Sequence, residues 1–428
     1  MFTAVWLDGR RAVVAVLAGM LVLGAAGAGG YLLGKSMSDD GGQARPAPAP
    51  KPPAHAGRSQ STDDLGFPAF ATKNTTRVAG VDPIADAAGV ALAVFPSTGA
   101  VDGPDAVTLI DAGDWASGVA AASLMANPVG APILLTDAGS IPDLTATALD
   151  ALEPGGSPST GGHQAFVVGT AAAPPGFRTE RVSGSNPAQL AAAIDKLRQT
   201  LSGIRPAHIL LVSSEQPQLA MPAAAWAARS GDPILFVHAD SVPKPTLAAL
   251  RADKGVPVYA LGPTSAISDK ALAQLHDVAP GVKRVGAENP VANSIAFARY
   301  VDGTFGWNIN DPGHGFAIAN VSRPADAAAA AALSASGDWG PLLVTDDGAQ
   351  VPSALRNYLL DVKPGYVSDP TRAVYNHIWV IGDQSAVSVD FQAEVDDLAE
   401  VAQVQSGTGQ SPAPQGQGTV GPTKPSKP

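Results

Sequence analysis

GAPILLTD, at residues 130–137, is nearly written again as GDPILFVH at 231–238 and as WGPLLVTD at 339–346. Each copy has a glycine, then a proline (Pro132, Pro233, Pro341), then an apolar run closed by a polar residue. A short apolar run bounded by Gly and Pro reads as a strand buried on both faces. Three copies at a period of about a hundred residues read as a repeat. The stretch is therefore expected to be a repeated central strand. The closing position, Asp137, His238 or Asp346, stays polar without staying identical, which fits a helix cap better than shared chemistry.

Other pieces repeat with the same period. RVAG starts at Arg77, RVSG at Arg181 and RVGA at Arg284, 104 and then 103 residues apart. A helical stretch follows each. In the second, Leu190, Ile194, Leu197 and Leu201 line one helical face. Next come apolar strands with polar ends, AVTLID (106–111), HILLVSS (208–214) and GFAIANVS (315–322), and then Ala-rich helices. After the quoted strand a further helix begins near Pro142, Pro245 or Pro352. The last strand ends in Gly: AFVVG (165–169), VYALG (258–262), IWVIG (378–382). SAISDKALAQLHDV and SAVSVDFQAEVDDL then predict one more helix each, whereas AAAPPGF holds that place in the first repeat, and its prolines bar a helix. Apolar strands alternating with helices define an α/β fold of parallel sheets. The expectation is three Rossmann-like units, 69–179, 180–282 and 283–404, around a pseudo-threefold axis.

Composition bounds what such a chain can do. It has 428 residues, 45% of them apolar and 5% aromatic, so the core rests on Ala, Val, Leu and Ile. The net charge of −11 argues against nucleic acid as a partner. Cysteine is absent, which excludes disulfides, thiol catalysis and thiolate metal sites. Residues 12–34 are apolar until Gly34, follow Arg10 and Arg11, and read as a transmembrane helix after a cytoplasmic N-terminus at 1–11. A cleaved secretory signal is the rival reading. Residues 35–68 read as a Pro/Ala-rich linker and 405–428 as a disordered tail. The expected location is the cell membrane, single-pass, with the folded part extracytoplasmic. That part carries 19 basic and 33 acidic side chains, a balance of −14.

In order and spacing these pieces resemble the cell-wall-binding repeat type 2 family of Gram-positive surface proteins. The matching residues are Arg-Val-x-Gly at 77 and 181, the GAPILLTD strand, and the endings LGPTSAIS (261–268) and IGDQSAVS (381–388). The resemblance covers about 330 residues and implies Rossmann-like units packed as a trimer that tether proteins to anionic wall polymers without catalysis. There are departures. The family's Asp-Arg-Tyr is replaced by VDPIADA (81–87) and SNPAQLA (185–191). The Asp-Ala pair opening the second helix stands only as Asp326-Ala327.

No nucleophile elbow, HExxH or phosphate loop is present, and seven histidines show no ligand spacing. No cofactor or metal is expected. In open parallel sheets ligands lie beyond the carboxyl ends of the strands, so Asp111, Asp137, His238 and Asp346 are the candidate polar positions there. Arg77, Arg181 and Arg284 are placed equivalently, and a threefold arrangement would bring them to matching positions, where a basic spot could hold polymer phosphate or carboxylate. The expected partner is an anionic wall polymer or a peptidoglycan-associated glycan, together with the membrane. The expected function is a membrane-anchored, non-catalytic wall-binding protein. The alternative is a scaffold contacting other envelope proteins through its Ala-rich helices. An enzyme at the strand ends is a third reading.

Overall fold

The structure is a computed structural model that describes residues 68–95, 103–335 and 340–404. The expected N-terminus, transmembrane segment and tail lie outside the described residues, as does the linker before Pro68. Among the described residues no helix is long and apolar enough to cross a membrane.

The chain opens with a hairpin, β1 (Pro68–Ala71) and β2 (Thr75–Val78), and enters α1 (Pro83–Val94). The first repeat continues through β3 (Val107–Asp111), α2 (Trp115–Ala121) with a 3-10 turn over Ala122–Met125, β4 (Ile133–Thr136), α3 (Asp143–Leu152) and β5 (Ala165–Val168). The second runs β6 (Thr179–Val182), α4 (Pro187–Ser202), β7 (Ile209–Ser213), α5 (Pro217–Ser230), β8 (Ile234–Val237), α6 (Lys244–Ala252), β9 (Val258–Leu261) and α7 (Asp269–Ala273). The third runs β10 (Lys283–Val285), α8 (Pro290–Arg299), β11 (Gly315–Asn320), α9 (Asp326–Ala335), β12 (Leu342–Thr345), α10 (Ser353–Asp361), β13 (Gly365–Tyr366), β14 (His377–Ile381), α11 (Val389–Ala399) and β15 (Ala402–Gln403).

Three parallel sheets share one strand order. They are β4-β3-β5-β6, β8-β7-β9-β10 and β12-β11-β14-β2, the last extended by antiparallel β1. A small parallel ladder pairs β13 with β15. The strand carrying the repeated arginine thus closes the sheet of the preceding repeat, not of its own. β6 pairs with β5, β10 with β9, and N-terminal β2 with β14. The sheets are out of phase with the sequence repeat, and the opening hairpin of the described residues completes the last sheet through β2. TERV and KRV are short and largely polar, so no strand is legible there from periodicity.

The quoted stretch also differs from expectation. β4, β8 and β12 are edge strands, hydrogen-bonded on one side only, yet all their residues are buried. One helix of the same repeat and one of a neighbouring repeat cover each: α1 and α9 pack on β4, α4 and α2 on β8, and α8 and α5 on β12. Burial, not central position, makes these strands uniformly apolar.

The helices contact one another in a cycle. α9 packs on α5, α5 on α2, and α2 on α9. The opening helices follow the same rule, with α1 on α9, α4 on α2 and α8 on α5. Alanine makes the approach possible, since Ala327–Ala332 are at most 3% exposed. A Cβ added at Gly118 of α2 would stand 2.8 Å from Ala328 Cβ of α9. Each opening helix is started by an Asx cap before proline: Asp82, Asn186 and Asn289 accept from the amides of Ala85, Gln189 and Ala292.

Candidate functional site

The carboxyl ends of the strands are occupied by turns. Asp111 accepts from the Gly113 amide at 2.9 Å, an Asx turn, and Asp114 caps α2 through the Ser117 amide. Asp137 opens a tight turn with Ser140, in which Ala138 and Gly139 have positive φ. Its carboxylate caps no helix, because α3 starts at Pro142 without a side-chain cap. Asp346 is exposed, and it is Asp347 that accepts from the Ala349 and Gln350 amides. His238 Nδ1 lies 3.0 Å from Ser214 Oγ and 3.1 Å from Glu215 Oε1. A Ser-His-acid relay needs the serine and the acid on opposite ring nitrogens. Here both face the same one, with His238 and Glu215 each 51% exposed. The four polar ends therefore take turn and surface roles. The helix caps expected of them fall on Asp114 and on the Asx-Pro pairs instead.

The three arginines do occupy equivalent places and turn back onto main-chain carbonyls, Arg77 buried, Arg284 half-buried and Arg181 exposed. Gly382, Gly262 and Gly169, the residues ending the last strand of each repeat, donate their amides to the carbonyls of Val78, Val285 and Val182. The arginine before each valine reaches over the loop beyond that glycine. Arg181 donates to Gly169 and Ala171 carbonyls, and Arg284 to Gly262 and Ile267 carbonyls and to Asp269. Arg77 is 2% exposed. It donates to the carbonyls of Gly382, Asp383, Val387 and Ser388 and to Gln392 Oε1. Burial lowers its pKa, and the nearby carboxylates of Asp383 and Asp86 oppose that. The three side chains lie in three different sheets and converge on no common basic spot. Their physical role is to staple the loop beyond that glycine, which reads Gly-x-x-Ser-Ala at 262–266 and 382–386 and Gly-Thr-Ala-Ala at 169–172.

The Ala-rich helices expected as a surface for envelope proteins are buried against one another, so that surface is not available.

An open groove of about 650 Å³ lies between α4 and α6. Ala192, Pro245, Ala248 and Ala249 line it, with Asp195, Gln199 and Asp253 among its polar groups. Asp195 and Asp253 are 4% and 3% exposed. The Gln199 amide spans them, donating to Asp195 Oδ1 at 3.0 Å and to Asp253 Oδ2 at 2.9 Å. Arg205 Nε stands 3.5 Å from Asp253 Oδ1. Burial, with Asp253 adding to it, pushes the Asp195 carboxyl up to about 6. None of Asp111, Asp137, His238 and Asp346 lines this groove. Sequence reasoning missed it because its walls are small residues on two helices that no motif joins. Among the described residues no group of three or more His, Asp or Glu is placed to hold a metal.

These features define a class: an α/β repeat protein of three parallel sheets in which the arginine strand of each repeat latches the repeat before it. Residues 181–272 match the family described as cell wall binding domain 2 (CWB2). Two solved structures share the fold, Cwp8 and Cwp6 from Clostridium difficile. Cwp8 gives a TM-score of 0.59 at 18% identity, over 77% of this chain and 52% of that one. Cwp6 gives 0.58 at 18% identity, over 75% and 48%. The chain thus spans about half the length of the proteins it matches in structure. No curated protein matches it in sequence.

Proposed function

We propose that this chain is a non-catalytic cell-wall-binding protein, anchored to the membrane by residues 12–34, whose repeats engage a wall glycopolymer outside the cell. The observation that carries this reading is the CWB2 match over 181–272. The groove between α4 and α6 lies inside that segment. Its alanine and proline walls suit the apolar faces of sugar rings, and the exposed Gln189, Lys196 and Thr200 along it suit sugar hydroxyls as hydrogen-bond partners. The body's balance of −14 favours contact with hydroxyl-bearing parts of the polymer over its phosphates. Several weak contacts along one repetitive polymer gain from effective concentration.

Sedimentation with purified walls tests the reading. Residues 69–404 are expected in the wall pellet. Ala248→Trp, placed at an exposed position in the groove, is expected to lower retention about tenfold without changing thermal stability. Absence of retention at every ionic strength would sink wall binding itself, and unchanged retention of Ala248→Trp would move the contact off this groove.

A further inference from the structure

The three junctions between repeats are built alike but differ at one position. Nine residues after the repeated arginine stand Asp86, Leu190 and Asn293. Leu190 packs in the core, 4% exposed. Asn293, fully buried, donates to the Leu219 carbonyl at 3.1 Å, and its Oδ1 lies 3.4 Å from the Ala287 amide. Asp86, also fully buried, accepts from the Gly80 amide at 2.8 Å and pairs with Arg323. Arg323 carries a second carboxylate: its Nη2 donates to Asp326 Oδ1 at 3.3 Å, and its Nε stands 2.9 Å from Asp326 Oδ2. Asp326 is fully buried, and Arg323 is 14% exposed. Two buried carboxylates therefore divide one guanidinium. Among the three junctions this happens only where β2 and α1 meet β14 and α9, and no short loop joins β2 to β14 as one joins β5 to β6.

We propose that closure of this seam is proton-linked: the clasp of Asp86, Arg323 and Asp326 holds one proton when β2 is docked and releases it when the seam opens. Burial is the largest cause acting on both carboxyls. It pushes Asp326 up to about 7 and holds Asp86 well above the usual carboxylate range, with Asp326 adding to the latter. The other charges facing the clasp leave this balance in place. Arg77 on β2 is consumed by carbonyls and Gln392, Asp383 beyond β14 binds Ser385, and exposed Asp82 caps α1. A carboxyl raised in the closed form binds more protons there than in the open form. Closure is then tightest near pH 4, weakens as pH rises toward 7, and levels off above. The neutral junctions at Leu190 and Asn293 have no such dependence.

Hydrogen exchange of the full chain between pH 5 and 8 tests this, corrected for intrinsic rates. Gly382, Gly262 and Gly169 amides make the equivalent bond at the three junctions, so two serve as controls for the third. The opening constant at Gly382 is expected to rise by up to about tenfold per pH unit up to pH 7, one proton's worth, while Gly169 and Gly262 stay flat. Asp326→Asn is expected to remove the slope and keep Gly382 protected at pH 8, and Asp86→Asn serves if the first variant does not fold. If Gly382 tracks its two counterparts at every pH, or keeps its slope in a folded Asn variant, the proposal is overturned. This outcome is independent of wall binding.

Discussion

Arg77, Arg181 and Arg284 hold the same place in the repeat and differ in burial. Removing a buried charge-assisted donor leaves its carbonyl acceptors unsatisfied, whereas an exposed arginine yields its acceptors to water. Arg77→Lys loses the planar fork that serves five acceptors and is expected to cost about 2–4 kcal/mol in urea unfolding. Arg181 is exposed, and Arg181→Lys is expected to cost under about 1 kcal/mol. Equal losses would contradict the assignment of Arg77 as the interior staple. Asp137→Ala and Asp346→Ala, at exposed turn positions, are expected to stay within about 0.5 kcal/mol of the parent in the same measurement.

The packing of elements rests on alanine and glycine where helices meet. Gly118→Ala drives a methyl toward Ala328 and Ala330→Leu overfills a helix with no free side, so each is expected to destabilise by about 1–3 kcal/mol, read as a lowered thermal midpoint. How legible these elements were follows from their physics. The long apolar runs of β3, β7 and β11, and those of β4, β8 and β12, announce themselves because both faces of each are buried. The absence of a helix after β5 was legible from Pro174 and Pro175. β6 and β10 were not legible: TERV and KRV have one apolar residue each and owe their strand state to partners on the preceding repeat. The internal role of the arginines was hidden for the same reason, since their acceptors are main-chain carbonyls of loops and leave no side-chain signal. A run such as AAAAAA at 327–332 says that a helix is closely approached, but not by what.

At the scale of the whole molecule, the recognised family segment and the folding unit do not coincide. Residues 181–272 begin with β6 of one sheet and stop before β10 of the next. An isolated 181–272 fragment is expected to lack cooperative unfolding by circular dichroism, while 69–404 unfolds cooperatively. The acidic body adds a prediction about wall retention. Screening shortens the reach of repulsion from roughly 30 Å at 0.01 M salt to about 8 Å at 0.15 M. Retention on an anionic wall is therefore expected to rise over that range, opposite to the behaviour of a basic binder.

The pairing of β2 with β14 also sets a clock. Thr75 waits for Ile378, about 300 residues later in the chain. At the 5–20 residues per second of protein synthesis, that is roughly 15–60 seconds during which β2 has its hairpin partner β1 on one edge and nothing on the other. The two earlier sheets can assemble as they emerge, but the ring is finished only by its oldest part. A nascent chain of this kind needs that strand kept from aggregating until the last repeat arrives, so the moment of greatest hazard comes before the protein is complete.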